Sequence, residues 1–387
     1  MQALVEHFAE TLRAAAAQKS PVCIVGGGSK DFYGNPTTGE RFSTIAYRGI
    51  VEYEPTELVI TARAGTPLLK IEAALRDKGQ MLAFEPPHFS TAFPSPPTGS
   101  APLATLSPEG EGNVVSATPS ISTATLGGCI AAGLSGPRRA YAGAVRDLVL
   151  GVRMLDGKGA DLRFGGQVMK NVAGYDVSRL LAGSMGTLGV ILEVSLKTLP
   201  LPATEITLHQ QHGEADAIRL MNTWAGQPLP ISATAWHGGD LRIRLSGAAS
   251  AVEAARTKLA GDVVDPEQAL RYWQGIRDHT GACFTQGSVL WRLSVKSTTP
   301  ALTLPGTQMI EWSGALRWLR SDAGADAVRN AAAAAGGHAT LFRSVAAPMA
   351  DGVFHPLSPA LAAIHRKLKQ TFDPAGILNP GRLYPGI

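Results

Sequence analysis

Apolar and polar positions change period several times along this chain, and each change predicts an element. From Leu4 to Ala17 apolar residues recur at helical spacing, with Glu6 and Glu10 near the start, which predicts an amphipathic helix. It hands over to PVCIV at 21–25, a short β-branched strand that ends in Gly26-Gly27-Gly28-Ser29, a strand-to-loop transition with exposed backbone N–H groups. Leu58–Ala64 predicts a second strand. After the turn at Gly65-Thr66-Pro67, LLKIEAALRDKG predicts a helix closed by Gly79, and the three together read as half of a crossover unit.

From Glu85 to Pro119 the pattern is lost to Pro, Ser, Thr and Gly, which cannot support a packed core and predict an extended surface excursion, either a tolerated insertion or a lid or partner contact. Past Thr125 periodicity returns: LVLGVRMLDGKGADLRF predicts a hairpin about Asp156-Gly157, and GVILEVSLKTLPLP a strand broken by Pro200 and Pro202. Residues 203 to about 350 read differently. ITLHQ, LRIRLSG and VLWRLSV alternate like half-exposed strands, while 248–260 and 323–335 are Ala-rich and helical, so an α+β unit with an antiparallel sheet is expected. The tail LAAIHRKLKQTFDPAGILNPGRLYPGI predicts a helix stopping at Asp373-Pro374 and then an extended, Pro/Gly-punctuated segment.

Composition sharpens this. The 387 residues are 45% hydrophobic and only 17% charged, enough for two buried domains or one elaborated one. Net charge is +4 with no basic stripe, so nucleic acid is not an expected partner. Cys23, Cys129 and Cys283 lie far apart with no CxxC, which encodes neither a disulfide framework nor a cysteine-ligated cluster and suits a reducing compartment. The first twenty residues carry acids and lack the layout of a secretory signal, and no apolar window is long enough to span a membrane, so a cytoplasmic protein is expected, with peripheral attachment through partner subunits left open.

The chemistry is carried by glycine. The stretch Thr125–Ile191 holds about a third of the chain's 43 glycines in under a fifth of its length. Gly suits backbone that takes positive φ or lies directly against a ligand, and a large, flat, phosphate-bearing cofactor is the natural occupant. The loop at Gly26 is neither of the common phosphate motifs: it ends Gly-Ser-Lys rather than Gly-Lys-Ser/Thr, and DFYGNPTTG after it cannot open a helix. Taken alone, a glycine triplet is as well explained by a tight structural turn.

Taken in order, GGGSKDFYG, EPPH, TLGGCIAAGLSGPRRAYAGAVRDLVLG, RFGGQVMKNVAGYD, GSMGTLGVI, the GALRWL and GGHAT segments at Gly314 and Gly336, and FDPAGILNPGR resemble flavoproteins of the vanillyl-alcohol oxidase type over nearly the whole chain. Within that group they are similar to the FAD-binding E subunits of bacterial glycolate oxidases. The resemblance implies an α+β fold: a two-part PCMH-type FAD-binding domain of two α/β subdomains at 1–202, an α+β cap on an antiparallel sheet at 203–350, and a C-terminal segment, 351–387, returning to the flavin.

Carried over residue by residue, the resemblance implies that Gly26, Gly27, Gly28, Ser29, Lys30 and Gly34 wrap the pyrophosphate with backbone N–H groups. Pro87 and the turn Thr125, Leu126, Gly127, Gly128 would flank the isoalloxazine. Gly133, Gly136, Tyr141 and Gly143 would continue along the cofactor, and Gly189, Val190 and Ile191 would meet the adenine. Ser29, Lys30 and Asp31 stand where a flavin-linking His would, so dissociable, non-covalent FAD is expected; Cys129 is expected to be a small packed residue rather than a thioether.

The implied reaction is glycolate to glyoxylate by an assembly with a sister FAD subunit and an iron–sulfur subunit. The chain departs from hydroxy-acid oxidases of this fold in lacking their His-rich metal motif and Glu-His-Gly element, so no metal and no catalytic residue is assigned. Two alternatives therefore stay open: a subunit that holds FAD or relays electrons without oxidising substrate, and a self-sufficient oxidase of another hydroxy acid or alcohol. His338 has no ligand-spaced partner and is expected to pack or hydrogen-bond. Arg317, Arg320 and Arg343 could grip a carboxylate, though solvated surface arginines are commoner. His209, His212 and His237 are expected on the surface, and Trp312 and Trp318 in the core of the cap.

Overall fold

A computed structural model describes residues 1–89, 122–166, 176–285, 289–344 and 352–387. Most of the 88–117 excursion and the MKNVAGY run lie outside the described residues.

The first half is organised by two sheets. Helix Gln2–Gln18 leads into strand Val22–Val25, which pairs in parallel with Glu40–Ser43. A five-stranded sheet follows, in the order Ile50–Glu54, Val59–Arg63, Val190–Lys197, Val149–Leu155, Asp161–Gly165. Every pair in it is antiparallel, so the strand and helix at 58–79 do not form half of a crossover. The helix, Leu68–Arg76, instead drops through Gly79 (φ 68°) into the two-residue strand Gln80–Met81, which pairs with Leu199–Pro200 outside the main sheet. The Asp156-Gly157 hairpin does form; Asp156 Oδ1 accepts the N–H groups of Lys158 and Ala160 and closes the loop.

One face of this sheet packs Ile60, Val152, Met154, Val194 and Leu196 against Leu68, Ile71, Leu75, Leu126 and Ile130 of two helices. The other meets Val5, Phe8 and Leu12 of the N-terminal helix through Tyr47, Leu155, Val190 and Leu192. Fully burying side chains of this size is worth roughly 1.5–3 kcal/mol each.

The second half is an eight-stranded antiparallel sheet in the order Asp262–Val263, Thr204–Gln211, Asp240–Gly247, Ile231–His237, Thr307–Glu311, Leu316–Arg320, Val289–Ser294, His338–Ser344. Helices Glu214–Ala225, Ala249–Leu259 and Ala325–Ala334 cover one face. The alternation of LRIRLSG is real, but its polar side is not solvated. Arg244 is 3% exposed and Arg242 stacks on Tyr272 at 4.0 Å, because helix Pro266–Arg277 and the first half cover that face. A shared core of Tyr33, Phe89, Leu134 and Met185 with Ala233, Ala235, Leu316, Trp318 and Phe342 joins the halves.

Helix Pro359–Phe372 ends at Asp373, and the chain after it runs back to the first strand. Val22 donates to Ile377 O at 2.7 Å and Asn379 donates to Val22 O at 2.9 Å, which adds a parallel neighbour to Val22–Val25.

Candidate functional site

Strand Val22–Val25 is held on both sides and runs out at Gly26, where the chain must turn beside residues 123–125. A Cβ on Gly26 would meet Thr125 Oγ1 at 2.6 Å, and one on Gly27 would meet Thr123 O at 1.6 Å, so only glycine fits the approach. Gly28 makes the turn itself, at φ 76°. Among the described residues, none of the backbone N–H groups of Gly26 to Lys30 donates to a protein acceptor. Uncommitted N–H groups in successive residues, one of them left-handed, form an anion-binding concavity.

The loop lines a cleft of about 300 Å³ together with Thr125, Gly128, Met185, Asn379, Arg41 and Arg382. Asn379 locks three segments there: its Oδ1 accepts Ile24 N–H at 2.7 Å and its Nδ2 donates to Met185 O at 2.7 Å. Arg382 is committed to backbone, donating to the carbonyls of Asp31, Tyr33 and Asn35. Burial pushes the Asp31 carboxyl up, opposed by Arg382 and Arg41. Lys30 is 8% exposed, and its Nζ donates to Pro87 O at 3.2 Å. Three cations against one carboxylate give the cleft a positive field.

The lining of the cleft suits the diphosphate and ring portions of the dinucleotide that the sequence pattern implies. A Cβ on Gly128 would meet only Thr125 Oγ1, at 3.3 Å, so the space beyond belongs to the cleft rather than to protein. The donors of Gly26–Lys30 match a diphosphate, and the side-chain-poor wall at Gly128 leaves room for a flat ring.

The structure brings together Gly26, Gly27, Gly28, Ser29, Lys30, Gly34, Thr125 and Gly128 on this cleft. Pro87 and Gly136 lie instead on a second, smaller cavity. The other expected positions line neither. Thr125–Gly128 is not a turn but the cap and first turn of helix Leu126–Ala132, with Thr125 Oγ1 accepting Gly128 N–H at 3.4 Å. Leu126 is core, and Gly127 packs so closely that a Cβ would reach Ala64 Cβ at 2.7 Å. Gly133 ends the helix at φ 66° against Gly183, and Gly143 (φ 93°) packs on Asp147. Tyr141 is bonded to Ser313 Oγ at 2.6 Å across the two halves. Val190 and Ile191 begin the strand Val190–Lys197, and Gly189 just before it packs so closely on Met154 that a Cβ would clash with its Cε.

Sequence reasoning missed Met185, Asn379, Arg382 and Arg41. The FDPAGILNPGR motif was a signal for the middle two, since its Asn and Arg stand in a segment with no core of its own. Arg41 carried none.

The second cavity, of about 20 Å³, lies where the cap sheet meets the first half and is lined by Pro87, Gly136, His279, Arg292, Glu311 and Trp318 among others. Aromatic rings fill the space around it. Phe89, Phe32, Tyr33 and Trp318 crowd Phe342 at centroid distances of 4.9–6.2 Å, and His279 stacks flat on Phe284 at 4.1 Å. Burial with Arg343 nearby holds the His279 imidazole neutral, its pKa well below the ordinary value. Burial pushes the Glu311 carboxyl up to about 7, although Trp318 Nε1 donates to its Oε1 at 2.6 Å.

The arginines expected at the surface are committed inside. Arg317 is wholly buried and donates to Gly314 O and Thr299 O; Arg320 donates to Cys283 O; Arg343 lies over the rings of Phe32, Phe89 and Phe342. His209 pairs with Asp240 at 3.3 Å and His212 with Gln210 at 3.0 Å, His237 is half-buried and His338 exposed. Trp312 and Trp318 are buried in the core between the halves. Cys129 is wholly buried, and burial pushes its thiol up to about 11, so it behaves as a small packed group. Among the described residues no three His, Cys, Asp or Glu side chains gather as a metal site, and no helix is long and apolar enough to cross a membrane.

Residues 3–93 match the FAD binding domain family, and residues 353–383 match the C-terminal domain of FAD linked oxidases. The chain is 45% identical over 383 residues to glycolate oxidase subunit GlcE of Escherichia coli K12, covering 99% of this chain and 97% of that one. It is 40% identical over 98 residues to glycolate oxidase subunit GlcD of Bacillus subtilis 168, covering 25% of this chain and 21% of that one. A solved structure of alkyldihydroxyacetonephosphate synthase superposes with a TM-score of 0.63 at 13% identity, covering 97% of this chain and 74% of that one, which is a likeness of fold.

Proposed function

Because the chain belongs to the family of glycolate oxidase E subunits, FAD-linked oxidoreductases of the PCMH-type fold, we propose that it carries FAD in a multi-subunit assembly that oxidises glycolate to glyoxylate. The observation that carries this is the cleft at Gly26–Lys30, with its uncommitted N–H groups and the open wall at Gly128. In this reading Gly26–Lys30 hold the diphosphate, Thr125 and Gly128 bound the ring, and Asn379 and Arg382 fix the loops around them. Bound FAD would supply the two-electron acceptor that removal of hydride from an alcohol carbon requires. The protein's share is to orient that acceptor, exclude water with the cap and set the local field.

Residues 1–202 are proposed as the FAD-binding domain, 203–350 as the cap and 351–387 as the segment that closes the cofactor cleft. Because Ser29 and Lys30 cannot form the usual flavin linkage, the cofactor is proposed to be dissociable, so acid precipitation should leave the yellow colour in the supernatant.

We further propose that glycolate is oxidised on a sister flavin subunit and that this chain passes electrons on. The second cavity supports this: as the described residues bound it, its volume of about 20 Å³ has room for one water but not for a hydroxy acid, and the rings around it are packed. An iron–sulfur subunit is the proposed onward acceptor, and any membrane attachment would come through such partners.

The test is anaerobic addition of glycolate or D-lactate to the purified, flavin-loaded chain. Absorbance should hold until the sister subunit is added and then bleach. Bleaching by the chain alone would make it the self-sufficient oxidase. A protein that stays colourless with added FAD would end the flavin reading itself.

A further inference from the structure

Lys30 closes the glycine loop, yet its side chain leaves that loop. Its Nζ reaches Pro87 O, fifty-seven positions along the chain, and stands 5.7 Å over the ring of Phe89. Pro87 and Phe89 line the small cavity under the cap sheet, whereas Lys30 itself lines the cleft, so the ammonium sits where the two spaces approach one another.

No described residue neutralises the ammonium. Its acceptors are two uncharged oxygens, Pro87 O at 3.2 Å and Ser29 Oγ at 3.4 Å, the second a long contact. Among the described residues no carboxylate lies within ion-pair distance of it. Asp278 is held by Arg277 and by the N–H of His88, and Glu72 by the His88 ring. Burial accordingly pushes the ammonium's pKa down, opposed only weakly from a distance by Cys129 and Asp278. An apolar side chain of the same length would remove that penalty, so a buried lysine unpaired among the described residues calls for an anion that those residues do not supply.

The diphosphate already has donors in the loop N–H groups and Arg41, and Lys30 Nζ is turned away toward Pro87. The remaining anionic region of the cofactor is the pyrimidine edge of its ring, which gains negative charge on reduction. We propose that Lys30 is a tuning residue for the flavin, its ammonium set beside the ring so that the reduced form is stabilised and electrons enter more readily. This rests on the FAD reading above.

The experiment uses the full chain loaded with FAD, as wild type, Lys30→Met and Lys30→Arg, with the midpoint potential measured by dye-coupled reductive titration and sulfite used as a probe of the ring's electron demand. Lys30→Met should shift the oxidised-to-reduced ratio at a fixed potential at least tenfold toward the oxidised form, about 30 mV for a two-electron couple. It should also weaken the sulfite adduct by a similar factor, with Lys30→Arg recovering most of both. A fluorescence titration with ADP separates the phosphate end, and its affinity should change less than twofold.

An unchanged potential in Lys30→Met overturns the proposal. So does a tenfold loss of ADP affinity with the potential intact, which would place the ammonium on the diphosphate. Failure of the wild type to take up FAD would instead remove the reading on which the proposal rests. A loss of fold cannot mimic these results, because Lys30→Met replaces an unpaired buried charge and its melting temperature without cofactor should equal or exceed that of wild type.

Discussion

At Gly128 a single hydrogen atom keeps the wall of the cleft open, while at Gly127, one position earlier, the same atom is needed for folding. A Cβ at 128 meets only Thr125 Oγ1 at 3.3 Å, but one at 127 meets Ala64 Cβ at 2.7 Å in the core. Gly128→Val should therefore lose flavin uptake, read by absorbance after gel filtration, with the melting temperature of the cofactor-free protein nearly unchanged. Gly127→Val should overpack the core and lose about 2 kcal/mol or more. His338→Ala, on an exposed strand end, should change neither. If Gly128→Val still turns yellow, the ring does not lie where we propose it does. Glu311 makes a prediction of a different kind. Its folded-state pKa, raised to about 7 chiefly by burial, lies above that of the unfolded chain. The folded protein then binds a proton that the unfolded chain has already released, so this contribution to stability is full below the ordinary carboxylate range and is lost as pH rises through about 7. Glu311→Gln should flatten the fall in stability between pH 5 and 8, by an amount on the order of 3 kcal/mol. Equal slopes for the two proteins in urea unfolding across that range would show that Glu311 is not the group responsible.

At the scale of elements, what could be read in the sequence was whatever a local pattern decides. The strand ending at Gly26, the helix before Lys19 and the hairpin at Asp156 follow from short-range alternation, helical spacing and turn chemistry, and each formed. Loop Gly26–Lys30 could be found for the same reason, since glycines following a strand leave its N–H groups without local acceptors. The polar face of Asp240–Gly247 could not: Arg242 and Arg244 alternate as exposed residues do, and only the first half folding over them makes them buried. Asn379 was hidden for a related reason, because its partners, Ile24 and Met185, lie 355 and 194 positions away. The C-terminal segment that carries it is held by Asp373, which is 1% exposed, accepts the N–H groups of Ile377 and Leu378, and pairs with Lys369 at 2.7 Å. Asp373→Ala would leave the two amides without their acceptor and the Lys369 ammonium, still bonded to Thr187 O and Leu378 O, without its counter-charge, a loss of about 3 kcal/mol or more. Because Asn379 and Arg382 follow directly, flavin affinity should fall with it. Limited proteolysis should then release the tail first, and a tail as protected as in wild type would show that Asp373 is not its anchor.

For the molecule as a whole, the question is what makes the halves one cooperative body, since each has its own sheet and core. Part of the answer is apolar, in the shared core around Phe89 and Phe342. The rest is an ion cluster with buried arginines and a half-buried Glu85, Glu205 standing exposed at its rim, in which each carboxylate touches arginines from both halves. Glu85 of the first half accepts Arg138 N–H at 2.8 Å and pairs with Arg244 of the cap sheet at 2.9 Å, while Arg138 reaches across to Glu205 of the cap at 2.6 Å. Burial works against the Glu85 charge, but Arg244 and Arg138 outweigh it and hold the carboxyl below the ordinary range. Two cations and two anions balance, so removing one member does more damage than exchanging the whole set for apolar residues. Glu85→Gln would leave Arg138 and Arg244, with side chains 9% and 4% exposed, facing Glu205 alone. That should destabilise the protein by about 3 kcal/mol, concentrated at the seam rather than within either half. In scanning calorimetry the wild type should melt in one transition, and Glu85→Gln should broaden it or split it in two, with the seam yielding before either sheet. FAD, whose proposed cleft is lined only by residues of the first half and the C-terminal segment, should raise the step that belongs to that half and leave the other in place. A Glu85→Gln protein that melts in one sharp transition at the wild-type temperature would show that the shared aromatic core couples the halves without help from these charges.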